Sequence, residues 1–565
     1  MFLKERANHS ALSSKFEWIA DHFILFVVLL SVCLFILYPL ICIFYRSFQS
    51  QEGFTFAHYI SVFSEDSNAL GHSVFVGIFS SLFCTILSVA FSLFISTRRG
   101  WQKVIFMALL IIIMVSPPFV SSLAYIQLYG RRGWITYKLL HLDWMPYNRW
   151  GIILMQAISF TPLNTLLLNG LLNKVDFVAI KSARDLGAKA SHILKDIIIP
   201  SLKPGVLVCL LLTFVRSLAD YGTPAIIGGR YRTLASEIYI QFMGAGNLEK
   251  AAAMNMCLFI PSIIFFFIYR AMMKKINSSP SQAQEGTLNL RMHKCGPIGY
   301  GVLGVSIIYV IVMVLQYATI FLTAITRKGS FPFKFTTEYI QQVFNYNAAT
   351  LYRSVIYSLI VAVVGTLFAM FFTYYVERQK IRLSSVFDCI ATLPYMIPGT
   401  CFGIGFILAF NHSPLKLTGT AIILIVCMLF KQLPTTTKIC AASMSQISKA
   451  QEYSARDLGA GRLRVIWNII LPNMKPAFLT CFTYGFTSSM TMAGAILFLV
   501  APKTLLAVFK LFDATYTGEY GVAAVVASII IIVVLAVEGL TYILTSLWEK
   551  KHVPGTGTYQ KNLWG

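Results

Sequence analysis

Residues 182–200 read SARDLGAKASHILKDIIIP, and residues 454–472 read SARDLGAGRLRVIWNIILP. The second copy starts 272 positions after the first, Ser454 against Ser182, and its first seven residues are unchanged. Lys-Pro follows each copy, at Lys203 and Pro204 and again at Lys475 and Pro476, so the register holds without a gap. Identity at a fixed offset over this length marks a duplicated unit, and the chain reads as two related halves.

Each copy predicts a short helix, a break at Gly187 or Gly459, and a second amphipathic helix that stops near Pro200 or Pro472, because proline cannot continue a helix interior. Ile193 and Ile197, matched by Val465 and Ile469, lie four residues apart and can share a buried face. Lys189, His192 and Lys195, or Arg462, Arg464 and Asn468, fall on other faces. Glycine allows a sharp turn with positive φ, and Ala183 or Ala455 keeps the surface low enough for close approach. One such loop fits a plain interfacial hairpin covering helix ends. Two at equivalent places weigh against that plain reading.

With 57% hydrophobic, 14% aromatic and only 12% charged residues over 565 positions, the composition is that of an integral membrane protein. The net charge of +23 comes from basic residues in short loops between apolar spans, a topology signal rather than a nucleic-acid footprint. Eleven cysteines are scattered, Cys33, Cys84, Cys257, Cys427 and Cys481 among them within apolar runs, with no CxxC; they read as small buried apolar residues. Lys4, Arg6 and Lys15 precede an apolar run that no small-residue cleavage site follows, so an uncleaved first span is expected.

Stretches long enough to cross a bilayer, about 20 residues each, are predicted at Phe23–Tyr45, His72–Ile95, Val104–Tyr129, Gly151–Leu172, Val206–Gly228 and Met254–Met273. After a polar linker, Lys274–Cys295, six more follow at Pro297–Thr326, Tyr352–Val376, Phe387–Phe410, Thr418–Thr437, Phe478–Val500 and Val522–Leu547. The expected fold class is all-α: an integral membrane protein of about 12 transmembrane helices in two homologous six-helix halves. The expected organisation is an N-terminal segment with the first span (1–70), a first transmembrane domain (71–273), the linker with the seventh span (274–350), a second transmembrane domain (351–548) and a tail (549–565). The bias of Lys and Arg places both termini, the even-numbered loops and both repeats in the cytoplasm.

Pro117, Pro118, Pro162, Pro224, Pro261, Pro394 and Pro398 are expected to break helices within the spans, as kinks or as parts of a gated path. There is no Gly-Lys dipeptide, hence no GxxxxGK[ST] phosphate loop, and neither HExxH nor GxSxG occurs, so the chain reads as neither an ATP motor nor an enzyme. In the fifth span Arg216 and Asp220 stand four residues apart, about 18 and 24 Å along a helix counted from Pro204. Charges at that depth face the protein interior or a watery path, either as a self-neutralising pair or as part of that path. At the 272-residue offset the second half has Ser488 and Met492 instead, while Gly222 matches Gly494.

The repeats resemble the EAA loop of permeases in ATP-binding-cassette importers: a small-residue pair, Arg, any residue, Leu, Gly, Ala, and later Ile-Pro or Leu-Pro. They depart from it at the opening acid, where Lys181 and Tyr453 replace Glu, so a salt bridge from that Glu to a partner is not implied. The resemblance implies that Ser182, Ala183, Arg184, Asp185, Leu186, Gly187, Ala188 and Pro200, with Ser454, Ala455, Arg456, Asp457, Leu458, Gly459, Ala460 and Pro472, form two ATPase-coupling loops. It further implies two ATP-binding-cassette ATPase subunits as partners, which would hold ATP and Mg while this chain binds no cofactor, and a periplasmic or extracellular solute-binding protein. The setting implied is the lipid bilayer of a bacterial cytoplasmic membrane, with no nucleic-acid partner.

Leu211–Gln241, and the later runs MTMAGAILFLVAP and TGEYG, are similar to the fused two-domain permeases of ferric-iron importers. Permeases for aminoethylphosphonate and for sugar phosphates look similar in the same places, and thiamine importers also use a fused permease. Arg216, Asp220, Tyr221 and Glu237 are the candidate translocation path, and the oxygens of Asp220, Tyr221, Glu237 and Tyr239 suit a hard ferric ion. No residue is assigned as catalytic or, firmly, as a metal ligand. The reading from another class is an ion-gradient-driven secondary transporter, which also often has twelve helices in two related halves but no use for paired polar loops.

Overall fold

The computed structural model describes residues 19–50, 53–98, 100–142, 146–173, 175–277, 295–327 and 334–552. The basic N-terminal arm, most of the expected linker and the end of the tail lie outside the described residues. A bilayer core offers the backbone no hydrogen-bond partners, so the long apolar runs satisfy themselves as helices. Among the described residues nine are long and apolar enough to cross: Ile19–Ser47, Ser67–Ser96, Arg149–Leu172, Ala190–Ala219, Leu248–Met273, Gly296–Ile325, Ala348–Arg378, Ala421–Met444 and Tyr520–Trp548. Two further helix pairs pass the same test together but are sharply bent, Trp101–Val115 with Phe119–Leu139 at 103° and Ser384–Met396 with Gly399–Phe410 at 114°; counting each pair as one span makes eleven. The strand content is marginal, Gln49–Ser50 pairing antiparallel with Gly53–Phe54.

The remaining expected span, Phe478–Val500, is not one helix. Lys475–Thr491 is helical over 17 residues, the backbone leaves the helix at Met492, and a short 3-10 turn follows at Ile496–Phe498. Val206–Gly228 is corrected in the same way, its helix ending at Ala219. Of the prolines expected to break helices, those at the two sharp bends do: Ser116 and Ile397, each just before a proline, are extended, as the ring of a following proline favours. Pro162, Pro261 and Pro394 instead sit inside continuous helices.

The duplication is visible in the packing. In the first half Ser67–Ser96 packs on Arg149–Leu172 and on the helix ending at Ala219, which packs in turn on Leu248–Asn277. In the second half Ala348–Thr373 packs on Ala421–Met444 and on Lys475–Thr491, which packs on Tyr520–His552. The first helix of each half also reaches across: Tyr38–Ser47 lies on Gly399–Phe410, and Gly296–Ile325 lies on Phe119–Tyr129. The largest apolar cluster accordingly runs through the second half and takes in Val32, Ile36 and Ile43 of the first helix. At one crossing the backbones touch: a Cβ on Gly403 would lie 2.3 Å from the Ala495 carbonyl oxygen, a contact only glycine allows. Phe23, Phe26 and Phe44 on the outer side of the first helix are exposed, a surface suited to lipid.

Candidate functional site

The two repeats fold alike, residue for residue, through their first turn. The helices Phe177–Asp185 and Lys449–Asp457 are each nine residues long and are capped by side chains, Asp176 accepting from the Val178 and Ala179 N–H groups and Ser448 from Ala450. Each ends in the same double closure. Gly187 N–H donates to the Arg184 carbonyl (2.9 Å) and Ala188 N–H to the Ala183 carbonyl (2.9 Å); Gly459 and Ala460 donate to Arg456 and Ala455 at 2.8 and 2.9 Å. This is a Schellman stop, which needs a left-handed residue after the cap, and both glycines have φ of +82°. The turn lifts the preceding leucine out of the helix: Leu186 is 88% and Leu458 89% exposed.

Past the glycine the expectation of a helix ending at proline does not hold in the first copy, where Ala190–Ala219 runs through Pro200 as one span. The reason is a widened π segment, Ile193–Ile198, just before it, matched by Ile466–Ile470 in the second copy. A wider turn moves the preceding carbonyls away from the proline ring. It also changes the buried face: Ile193, Leu194 and Ile198 point inward, five apart at the ends, rather than the expected Ile193 and Ile197. In the second copy Val465, Ile466 and Ile470 do the same, and the helix then breaks at Met474, two residues beyond Pro472.

Sequence reasoning missed what holds the second loop. Arg378 Nε donates to Glu452 Oε1 at 2.6 Å, with side chains only 8% and 5% exposed, and its other nitrogens donate to the Met444 and Ile447 carbonyls. Arg456 reaches the Tyr374 hydroxyl, and Arg462 pairs with Asp21 at 3.3 Å. At the equivalent of Glu452 the first half has Ile180, which is buried in an apolar cluster with Ile193 and Leu194. The loops thus share a shape but not an anchor. The available signal was the acid at Glu452, directly before the replaced Tyr453.

The self-neutralising Arg216 and Asp220 pair, one of the two readings of their spacing, is not formed, because the helix ends one residue before Asp220, which takes an extended conformation (φ −82°, ψ 107°). Asp220 turns its carboxylate to other donors: Oδ1 accepts from the Gly222 and Thr223 N–H groups at 3.1 and 3.3 Å, and Oδ2 from Gln156 Nε2 at 2.9 Å. Gln156 Oε1 accepts from Ser80 and Ser217, tying three helices to Asp220. Gln156 is a buried amide in an apolar span, a signal the sequence offered and its reading passed over.

Arg216 is left exposed and, among the described residues, has no carboxylate within ion-pair distance. It faces a cavity of about 400 Å³ between the halves, where its helix and the equivalent Lys475–Thr491 both contribute lining residues. Lys431, from Ala421–Met444, lines the same cavity and donates to the Pro394 and Ile397 carbonyls at 2.7 and 2.6 Å, groups freed by the bend in the second half. Arg216 also borders a smaller cavity of about 200 Å³, shared with Asp220, Ser116, Ser121 and Thr223. The other two path candidates stand apart from both. Tyr221 is buried among the rings of Phe119, Tyr239, Phe498 and Phe512, and Glu237 is buried with Arg232 (3.4 Å) and Gln241 (3.2 Å). Among the described residues no group of three or more His, Cys, Asp or Glu is placed to hold a metal ion.

Two like helical bundles, each with a polar helical loop ahead of its fifth helix, define a pseudo-dimeric permease. Residues 88–278 and 365–549 both match the family described as binding-protein-dependent transport system inner membrane component, and the chain belongs to that family. It is therefore a multi-pass inner-membrane permease subunit of an ATP-binding-cassette importer, not itself an enzyme, and the importer includes an ATPase and a binding protein. The chain is similar to the ferric transport system permease protein FbpB of Actinobacillus pleuropneumoniae, 28% identical over 90% of this chain and 76% of that protein. It is likewise similar to the ferric transport system permease protein FbpB 1 of Haemophilus influenzae, 27% identical over 85% of this chain and 78% of that one. A sulfate transport system permease protein, CysT of Salmonella typhimurium, is 23% identical over 34% of this chain and 75% of its own length.

Proposed function

We propose that this permease carries an iron(III)-bearing cargo, handed over by a solute-binding protein, into the cytosol. The observation that carries the reading is the similarity over nearly the whole chain to two ferric transport permeases. The two repeats, 182–200 and 454–472, are the coupling loops, each receiving one ATPase subunit on its glycine turn and exposed leucine. ATP and Mg reside on those subunits. Closure of the ATPase pair pulls the loops together and rotates the halves, so that the central cavity opens to the other side. Both termini and both loops lie on the cytosolic side, and the transmembrane domains are 71–273 and 351–548, joined through 274–350. The path runs past Arg216 and Asp220, while Tyr221 and Glu237, buried apart from both cavities, support it from behind rather than lining it.

Proteoliposomes holding the chain, its ATPase and its binding protein are expected to accumulate radioiron only with ATP inside and the binding protein outside. Uptake driven by a proton or sodium gradient without ATP would replace this reading with that of a secondary transporter. Efficient ATP-driven uptake of another cargo, with none of iron, would leave the importer and remove the metal.

A further inference from the structure

We propose that the cavity between the halves is an anion site, so that cargo crosses as an oxyanion or as an iron(III) complex wrapped in oxyanions, rather than as a bare cation. The iron arm of this inference rests on the function proposed above; the anion site itself does not. The cavity is lined by two cations and, among the described residues, no carboxylate. Arg216 and Lys431 are not duplicates of each other. At the 272-residue offset Arg216 corresponds to Ser488 and Lys431 to Ser159, so each half supplies one cation from a different span. Both cations, with Ser488, border the same space.

The two play different parts. Lys431 has two of its three N–H donors on the Pro394 and Ile397 carbonyls, which fixes the ammonium at the C-terminal end of Ser384–Met396 and leaves one donor over. Arg216 is exposed to the cavity with its donor fork unengaged by the described residues. A guanidinium at this depth is costly unless hydrated or paired, and its planar fork matches two oxygens of a carboxylate or phosphate. Tyr269, Tyr395 and Thr491 add hydroxyls around the same space. Asp220, four residues from Arg216, has both oxygens committed to Gly222, Thr223 and Gln156, and borders the smaller cavity rather than the larger one. A bare ferric ion would meet two like charges in the larger space. Iron(III) takes oxygen ligands and can be carried with a net negative charge by a polycarboxylate.

The test uses the complete importer in proteoliposomes, with two cargoes in separate arms: ferric citrate carrying labels on both iron and citrate, and labelled inorganic phosphate. The expected result is entry of iron and citrate together. Arg216→Gln should lower uptake by about tenfold or more, while Arg216→Lys, which keeps the charge but loses the planar fork, should lower it less than Arg216→Gln does. Ser488→Asp, which places a carboxylate in the same cavity without touching Arg216, should lower uptake similarly. Membrane level and bound ATPase are measured for each variant, and Ser488→Asp stands as the test if Arg216→Gln fails to assemble. Phosphate uptake with the same dependence on Arg216 and Ser488, and no iron uptake, keeps the anion site and removes the iron reading. Iron entering without citrate, uptake unchanged in Arg216→Gln, uptake raised in Ser488→Asp, or entry of neither cargo through a complex whose ATPase responds to its binding protein would each overturn the proposal.

Discussion

Replacing Leu186 and Leu458 together with Asp is expected to abolish ATP-driven uptake while the chain still inserts at its normal level. Each leucine stands almost fully exposed on a loop whose backbone is closed by its own Schellman bonds, so the substitution disturbs no internal contact of the fold. An apolar side chain held out on a rigid turn gains by burial in a partner, and such an anchor contributes about 2 kcal/mol or more to an interface. A buried charge in its place reverses the sign. With both loops altered, the ATPase subunits should be lost on purification; with one altered, binding should weaken and uptake fall part way. An intact complex from the double mutant would mean that the loops dock through some other face.

The second large effect is expected at Glu452. Glu452→Ala strands the Arg378 guanidinium in a site where both side chains are more than nine-tenths buried, and loss of one partner of such a pair typically costs about 3–5 kcal/mol. Thermal unfolding of the solubilised chain should shift down accordingly, and uptake should fall with the amount of folded protein. The double change Arg378→Met with Glu452→Leu should recover part of that loss, because no charge is then left unpaired. Recovery should be incomplete, since the Met444 and Ile447 carbonyls lose their donor. Equal stability of Glu452→Ala and the unaltered chain would show that the pair does not hold the loop. At Ile180, which occupies the matching place in the first half without charge, truncation should cost apolar packing alone, with no stranded partner for a second change to rescue.

What could be read in advance divides by how local the cause is. The duplication, the left-handed glycines and nearly all the spans depend on residue identity or on runs of apolar residues, and these are written directly in the chain. Helix ends are not. Arg216 and Asp220 look like a pair only if the helix continues past Ala219, and it stops because the Asp220 carboxylate finds Gln156, 64 residues away, and two N–H groups of the next turn. Gly222, two residues further on, was the available hint. The π segments before Pro200 and Pro472 respond to a ring clash and to packing on neighbouring helices, so a four-residue repeat misplaced the buried face by one residue. Arg378 and Glu452 lie 74 residues apart and could be joined only by the fold.

The composition of the purified importer tests the account most directly. Two loops of the same shape, Schellman-closed at Gly187 and Gly459, predict two ATPase subunits for each copy of this chain, measured as the intact mass of the complex extracted from the membrane. The isolated chain in the same experiment should hydrolyse no ATP. One ATPase subunit per chain, or hydrolysis by the chain alone, would contradict it.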